Sequence, residues 1–171
     1  MITLVRPAKE HEKEALKFKQ EFIDYGTPVI NGSELLDQTD SYDEWLKSVT
    51  DNTSQETVNP SWVVTDTYFA FDDNNYLVGI IALRHTLNDF LKDFGHCGYS
   101  VRPSERRKGY ATEMLRQILE CAAELGFDKL QLSVERSNIP SVKTITKNGG
   151  KLERSFTFEG EAADVYYILL P

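Results

Sequence analysis

Residues 101–112 read VRPSERRKGYAT, and the order of residue types suggests chemistry. Pro103 stops a strand, Arg106, Arg107 and Lys108 gather three cations, and Gly109 with Ala111 leaves the backbone bare where a helix begins. The first N–H groups of a helix have no intrahelical partner and stand at the positive end of its dipole. Small residues there let a ligand reach the main chain, and the pyrophosphate of a nucleotide-like cofactor matches both the donors and the charge. A solvated charge run ahead of an ordinary helix uses the same residues, so the surrounding motifs decide. Neither the Gly-x-x-x-x-Gly-Lys-Ser/Thr phosphate loop nor the Gly-x-Gly-x-x-Gly dinucleotide fingerprint is present. Cys97 and Cys121 lack metal-ligand spacing and are too few for a disulfide framework, which reads as two reduced packing residues, no metal site, and a cytoplasmic chain.

The elements that must position this segment follow from hydrophobic period and turn chemistry. ITLVRPA reads as a first strand. KEHEKEALKFKQEFIDYG is a helix with Ala15, Leu16, Phe18, Phe22 and Ile23 near one face and Gly26 at its end. Residues 27–61 are less regular, with a helix near Tyr42–Val49 and a Thr-, Ser-, Asn- and Asp-rich loop up to Pro60. WVVTDTYFAF and YLVGIIALRH flank DDNN as an antiparallel hairpin, and HCGYSV is a fourth strand. From Gly109 to Leu125, apolar residues at three- and four-residue spacings make the clearest helix. KLQLSV is a fifth strand, IPSVKTITKNGG a short helix, and KLERSFTF with DVYYILL a closing hairpin. Strand, helix and strand in sequence ask for a parallel pair joined by a right-handed crossover. The expected architecture is an α/β (α+β) mixed sheet of about seven mostly antiparallel strands, with helices on both faces.

Length and composition bound the function. At 171 residues and 40% apolar content, the chain suits one domain over 1–171 with a sizeable core. No apolar run approaches the roughly 18 residues of a membrane span. The 19 basic and 27 acidic side chains give a net charge of −8, which opposes nonspecific attraction to nucleic acid or anionic membranes.

RRKGYA resembles the acetyl-CoA signature of the GCN5-related N-acetyltransferases (GNAT), Arg/Gln-x-x-Gly-x-Gly/Ala, through Arg106, Gly109 and Ala111. The context is similar too: GYSVRPSERRKGYATEML after a strand, then LQLSVE, then Asn138 with Ser141 before a short helix ending in NGG. The likeness covers about residues 62–159, and the first 60 only as a strand and helix. It implies a GNAT-like fold whose fourth and fifth strands begin paired and then splay around the pantetheine arm of acetyl-CoA. It assigns the main chain from Arg107 through Lys108, Gly109 and Tyr110 to Ala111, with the Thr112 hydroxyl, to the pyrophosphate, and Arg106 to the same loop. Tyr99, Ser100 and Val101 would bind pantetheine and thioester through backbone groups, and Asn138 and Ser141 would hold the arm from the other side. Asn138 and Ser137 are also favoured helix caps.

The resemblance implies an acetyl-CoA-dependent N-acetyltransferase acting by direct amine attack in a ternary complex, without cysteine nucleophiles. Holding a lysine-like amine neutral at pH 7 costs roughly 4–5 kcal/mol, so a proton acceptor is needed. His96 and Glu135, near the ends of the two splaying strands, are the catalytic candidates; as structural residues they would be a strand-end histidine and a solvated edge carboxylate. The family's usual tyrosine seven residues after the asparagine is Ile145 here. That departure leaves open an alternative, a catalytically weak acyl-CoA-binding regulatory module. The amine acceptor is unidentified. Acidic residues between Glu34 and Glu56 suit a cationic amine or a plain solvated surface, whereas Arg84, with His85 and Asn88 nearby, suits an acceptor bearing a carboxylate. No nucleic acid or membrane partner is expected, and a homodimer is compatible with the sequence.

Overall fold

The computed structural model describes residues 1–171. Its elements in chain order are β1 (Thr3–Val5), α1 (Glu12–Tyr25), α2 (Tyr42–Asp51), β2 (Thr65–Phe71), β3 (Leu77–Arg84), β4 (Cys97–Val101), α3 (Tyr110–Glu124), β5 (Lys129–Glu135), α4 (Ile139–Lys147), β6 (Lys151–Phe158) and β7 (Glu161–Leu169). These follow the expected order and type. β2 starts three residues later than WVVTDTYFAF suggested, because Trp62–Val64 leave the ladder. No helix is long and apolar enough to cross a membrane.

The strands form two antiparallel sheets, β1-β2-β3-β4 and β5-β7-β6. Helices cover both faces. On one, Ala15, Phe18 and Phe22 of α1 and Trp45 and Val49 of α2 bury against Phe69, Phe71, Leu77 and Ile80. On the other, Met114, Leu115, Ile118 and Ala122 of α3 and Ile145 of α4 share a core with Val78, Ile81, Leu83, Leu130, Leu132 and Val134. Each large core side chain removed from water contributes roughly 1.5–3 kcal/mol, and the alternation along β3 and β5 sends successive residues to opposite faces.

The parallel β4–β5 ladder expected from the sequence is not formed. The two sheets meet at a single bridge, Gly95 to Leu132. Its physical cause is local. Gly95 turns the chain at φ +85°, His96 N–H donates to the Gln131 carbonyl (2.7 Å), and the Gln131 N–H that would extend a ladder donates instead to His96 Nδ1 (3.0 Å). Beyond this vertex β4 and β5 share no ladder, so the sheets make a fork.

Candidate active site

One arm of the fork, β4, leads into the phosphate-type loop. Arg102 ends the strand almost fully buried: Nε donates to Glu21 Oε1 of α1 (2.9 Å), Nη1 to the Leu77 carbonyl (3.1 Å), and the guanidinium lies 4.2 Å from the Tyr76 ring centroid. The Glu21 carboxylate also accepts from the Ser104 N–H (2.8 Å) and hydroxyl (3.1 Å). Burial alone would raise the Glu21 carboxyl, but the Ser104 and Arg102 bonds hold it below its ordinary value. This anchor of Arg102, Glu21 and Ser104 went unnoticed in the sequence because Glu21 sits 81 residues away from Arg102.

From that anchor the chain turns through Arg107 (φ 65°) and Gly109 (φ 85°) into α3. The main-chain N–H groups of residues 107–112 make no hydrogen bond within the protein, leaving six consecutive donors at the positive end of a 15-residue helix. A Cβ built at Gly109 meets nothing within 4 Å; the residue is required there by its left-handed backbone, and the space beside it is open to a ligand. The three cations differ. Lys108 is paired with Glu105, Arg106 lies over Phe22 and Tyr25 with Nε toward the Val101 carbonyl (3.4 Å), and Arg107 has no ion-pair partner. The residues fit a diphosphate: amides from Arg107 to Thr112, the Thr112 hydroxyl and the Arg107 guanidinium.

The β4 register decides which main-chain groups open into the fork. Arg84 N–H donates to the His96 carbonyl and Arg102 N–H to the Val78 carbonyl, so residues 96, 98, 100 and 102 turn their peptide groups toward β3. Tyr99 and Val101 turn theirs away, into the fork. This corrects the expectation for Ser100: its main chain faces Ile80 across the ladder, and its hydroxyl donates to the Asn31 carbonyl (2.8 Å). Tyr99 reaches across the opening to α4, its hydroxyl 2.7 Å from Ser141 Oγ. Burial pushes the phenol up to about 12, so it stays protonated. Asn138 caps α4, Oδ1 accepting from Ser141 N–H (3.3 Å), with its Nδ2 still available to a ligand. Ile145 is buried in the core at the position of the family's usual tyrosine.

His96 is corrected as a proton acceptor. Nδ1 is occupied by the Gln131 amide, leaving Nε2 to carry the proton, and the ring lies edge-on to Phe127 (5.1 Å). Burial, with Arg84 and Lys129 nearby, lowers its pKa to about 4; the neutral imidazole fastens the vertex. Glu135 ends β5 exposed, on the face opposite α3 and α4. Of the acidic residues between 34 and 56, Asp43 pairs with Lys9 and Asp51 with Lys47 at the surface; Glu34 alone comes beside Arg84, with Trp62. His85 turns elsewhere, to Asp66 (Nε2 to Oδ2, 2.7 Å), and Asn88 Oδ1 accepts from Leu91 N–H in a local turn.

The family model for the GNAT acetyltransferase domain matches residues 2–151, and the chain belongs to the GNAT family of N-acetyltransferases. Among solved structures it is similar to RimL, a ribosomal L7/L12 α-N-protein acetyltransferase in complex with coenzyme A. That likeness has a TM-score of 0.71 and 16% identity over 99% of this chain and 94% of the other. It is similar also to the dodecameric spermidine N-acetyltransferase from Vibrio cholerae, with a TM-score of 0.68 and 16% identity over 98% and 93%. No curated protein matches the sequence.

Proposed function

We propose that the chain is a single GNAT domain that moves the acetyl group of acetyl-CoA to a primary amine of a small molecule or peptide. The observation that carries this is the run of six unbonded amides at residues 107–112 around the open Gly109. These amides, with Arg107, would hold the coenzyme A diphosphate; Tyr99 and Val101 would meet the pantetheine with main-chain groups, and Asn138 would meet it from α4. When bound, the cofactor supplies an activated acyl thioester. A β4 amide, that of Val101 or Tyr99, would stabilise the developing oxyanion, a donor typically worth about 3–4 kcal/mol. Likeness to a spermidine N-acetyltransferase and a ribosomal-protein N-acetyltransferase supports an amine substrate without choosing between them.

Calorimetry with acetyl-CoA tests the first half, and thiol release with a panel of amines the second. Micromolar binding followed by amine-dependent thiol release is the expected result. Ile145 at the usual tyrosine position favours a second reading, an acyl-CoA-binding regulatory module, which binding without turnover across the panel would select.

A further inference from the structure

The face of the fork opposite α3 and α4 carries an assembly of its own. The turn between α1 and α2 is stapled to β4. Gly32 lies so close to Gly98 that a Cβ would stand 2.2 Å from its carbonyl oxygen. Ser100 holds the Asn31 carbonyl, and Trp45 Nε1 donates to the Ser33 carbonyl (2.8 Å). Glu34 and Leu35 follow in consecutive left-handed conformations, φ 51° and 73°. Non-glycine residues there carry strain of order 1–3 kcal/mol each, held by the surrounding structure.

This strained turn delivers the Glu34 carboxylate, partly buried, beside Trp62 and Arg84. The Arg84 guanidinium lies over the Trp62 ring (5.6 Å) and donates through Nη1 to the carbonyl of Gly95, the vertex residue (2.8 Å). Trp62 Nε1–H faces the Glu34 carboxylate, and Arg84 Nε–H is buried and donates to no atom of the protein. A buried donor left unpaired costs roughly 1–3 kcal/mol and asks for an acceptor atom of a bound molecule beside Glu34. Burial raises the Glu34 carboxyl above its ordinary value, while Arg84 and Trp62 pull the other way. Arg84 from β3 is the charged group facing it; His96, behind Arg84, is neutral.

We propose that Glu34 receives the acceptor amine: its carboxylate holds the ammonium beside Trp62 at the fork vertex and takes one of its protons, freeing the nitrogen lone pair. The neutral amine then attacks: the C–N bond forms, the thioester C–S bond breaks, and the second proton lost from nitrogen goes to the departing sulfur, which leaves as the thiol. The inference rests on the acetyl-transfer reading and names its acceptor class, a cationic primary amine.

Tryptophan emission of the unliganded chain tests it. Between pH 4 and 9 the wild type should show a transition that E34Q and W62F lose and E34D keeps. Added n-butylamine hydrochloride, against matched sodium chloride, should shift emission in the wild type and not in E34Q. Acetyl-CoA affinity should agree within twofold between wild type and E34Q, while amine-dependent thiol release falls about 100-fold. A transition or amine response that survives E34Q overturns the proposal, as does a large change in acetyl-CoA affinity. Failure of the wild type to bind acetyl-CoA would instead defeat the acetyl-transfer reading, and the emission titration would still judge Glu34.

Discussion

The two walls of the fork are built from different materials. On the α3 side the donors are peptide groups in one continuous stretch, residues 107–112, and side chains are secondary. On the opposite side three side chains, Glu34, Trp62 and Arg84, come from a turn, a loop and a strand end. A main-chain site needs only the right backbone path, so local residues such as Gly109 and the Arg102 anchor set it. The side-chain site depends on tertiary packing, on the α1–α2 turn being stapled to β4. Substitutions should therefore act differently on the two walls.

The largest expected effect is on the main-chain wall. Gly109→Glu places an anion where the proposed function puts a diphosphate and forces a left-handed non-glycine residue, which costs about 1 kcal/mol in strain. Acetyl-CoA affinity by calorimetry should fall at least about 100-fold, a ΔG change near 3 kcal/mol, with the urea midpoint only slightly lowered. Unchanged affinity would break the contrast.

Next comes the anchor. Arg102→Ala strands Glu21 and should destabilise the fold by about 3 kcal/mol in urea. The Glu21 carboxyl is held below its ordinary value, so its contribution is present above pH 4.5 and drains away as pH falls through the lowered folded value. Glu21→Gln should flatten that acid-side slope.

His96 sharpens the comparison at the vertex. Its imidazole is neutral in the fold down to about pH 4, while the unfolded chain protonates near 6.5. Stability should therefore rise with pH between about 4 and 6.5. His96→Asn can still accept from the Gln131 amide and should remove that slope in thermal unfolding. The pH profile of turnover should keep its shape; a lost limb would restore His96 as the base.

Glu34 gives the opposite sign. With a raised carboxyl, the folded state holds its proton longer than the unfolded chain, and stability falls as pH rises from 4.5 through the raised folded value. Glu34→Gln should thus raise the Tm slightly at pH 7–8 while it removes the amine response. The smallest effect belongs to Tyr99→Phe, which deletes the hydrogen bond to Ser141. About 1 kcal/mol is at stake, so a three- to tenfold loss of acetyl-CoA affinity is expected.

The same contrast explains what was legible in the chain. Helix periodicity in α3, the hairpins, and the Arg106, Gly109, Ala111 pattern are local, and the helix and the hairpins survive in the structure. The parallel ladder was misjudged because one histidine nitrogen intercepts the Gln131 amide, a side-chain competition that no hydrophobic period reports. Ser100 was misassigned because strand register decides which peptide groups face the fork. Glu34 hid among seven acidic residues of a polar stretch, and only its two left-handed torsions and the Gly32–Gly98 approach set it apart. The adjacent signal, GS within NGSELLD, marks a turn but not where that turn docks.

The close approach of Gly32 to Gly98 has a consequence for how acceptor choice can change. The turn is riveted to the sheet by two residues without side chains, so its tip can be redrawn without loosening the rivet or reaching the helix on the far side. Recutting Glu34, Leu35 and Trp62 should retune which amine is taken while the grip on the shared acyl carrier persists, a lock whose wards can be filed without rebuilding its hinge.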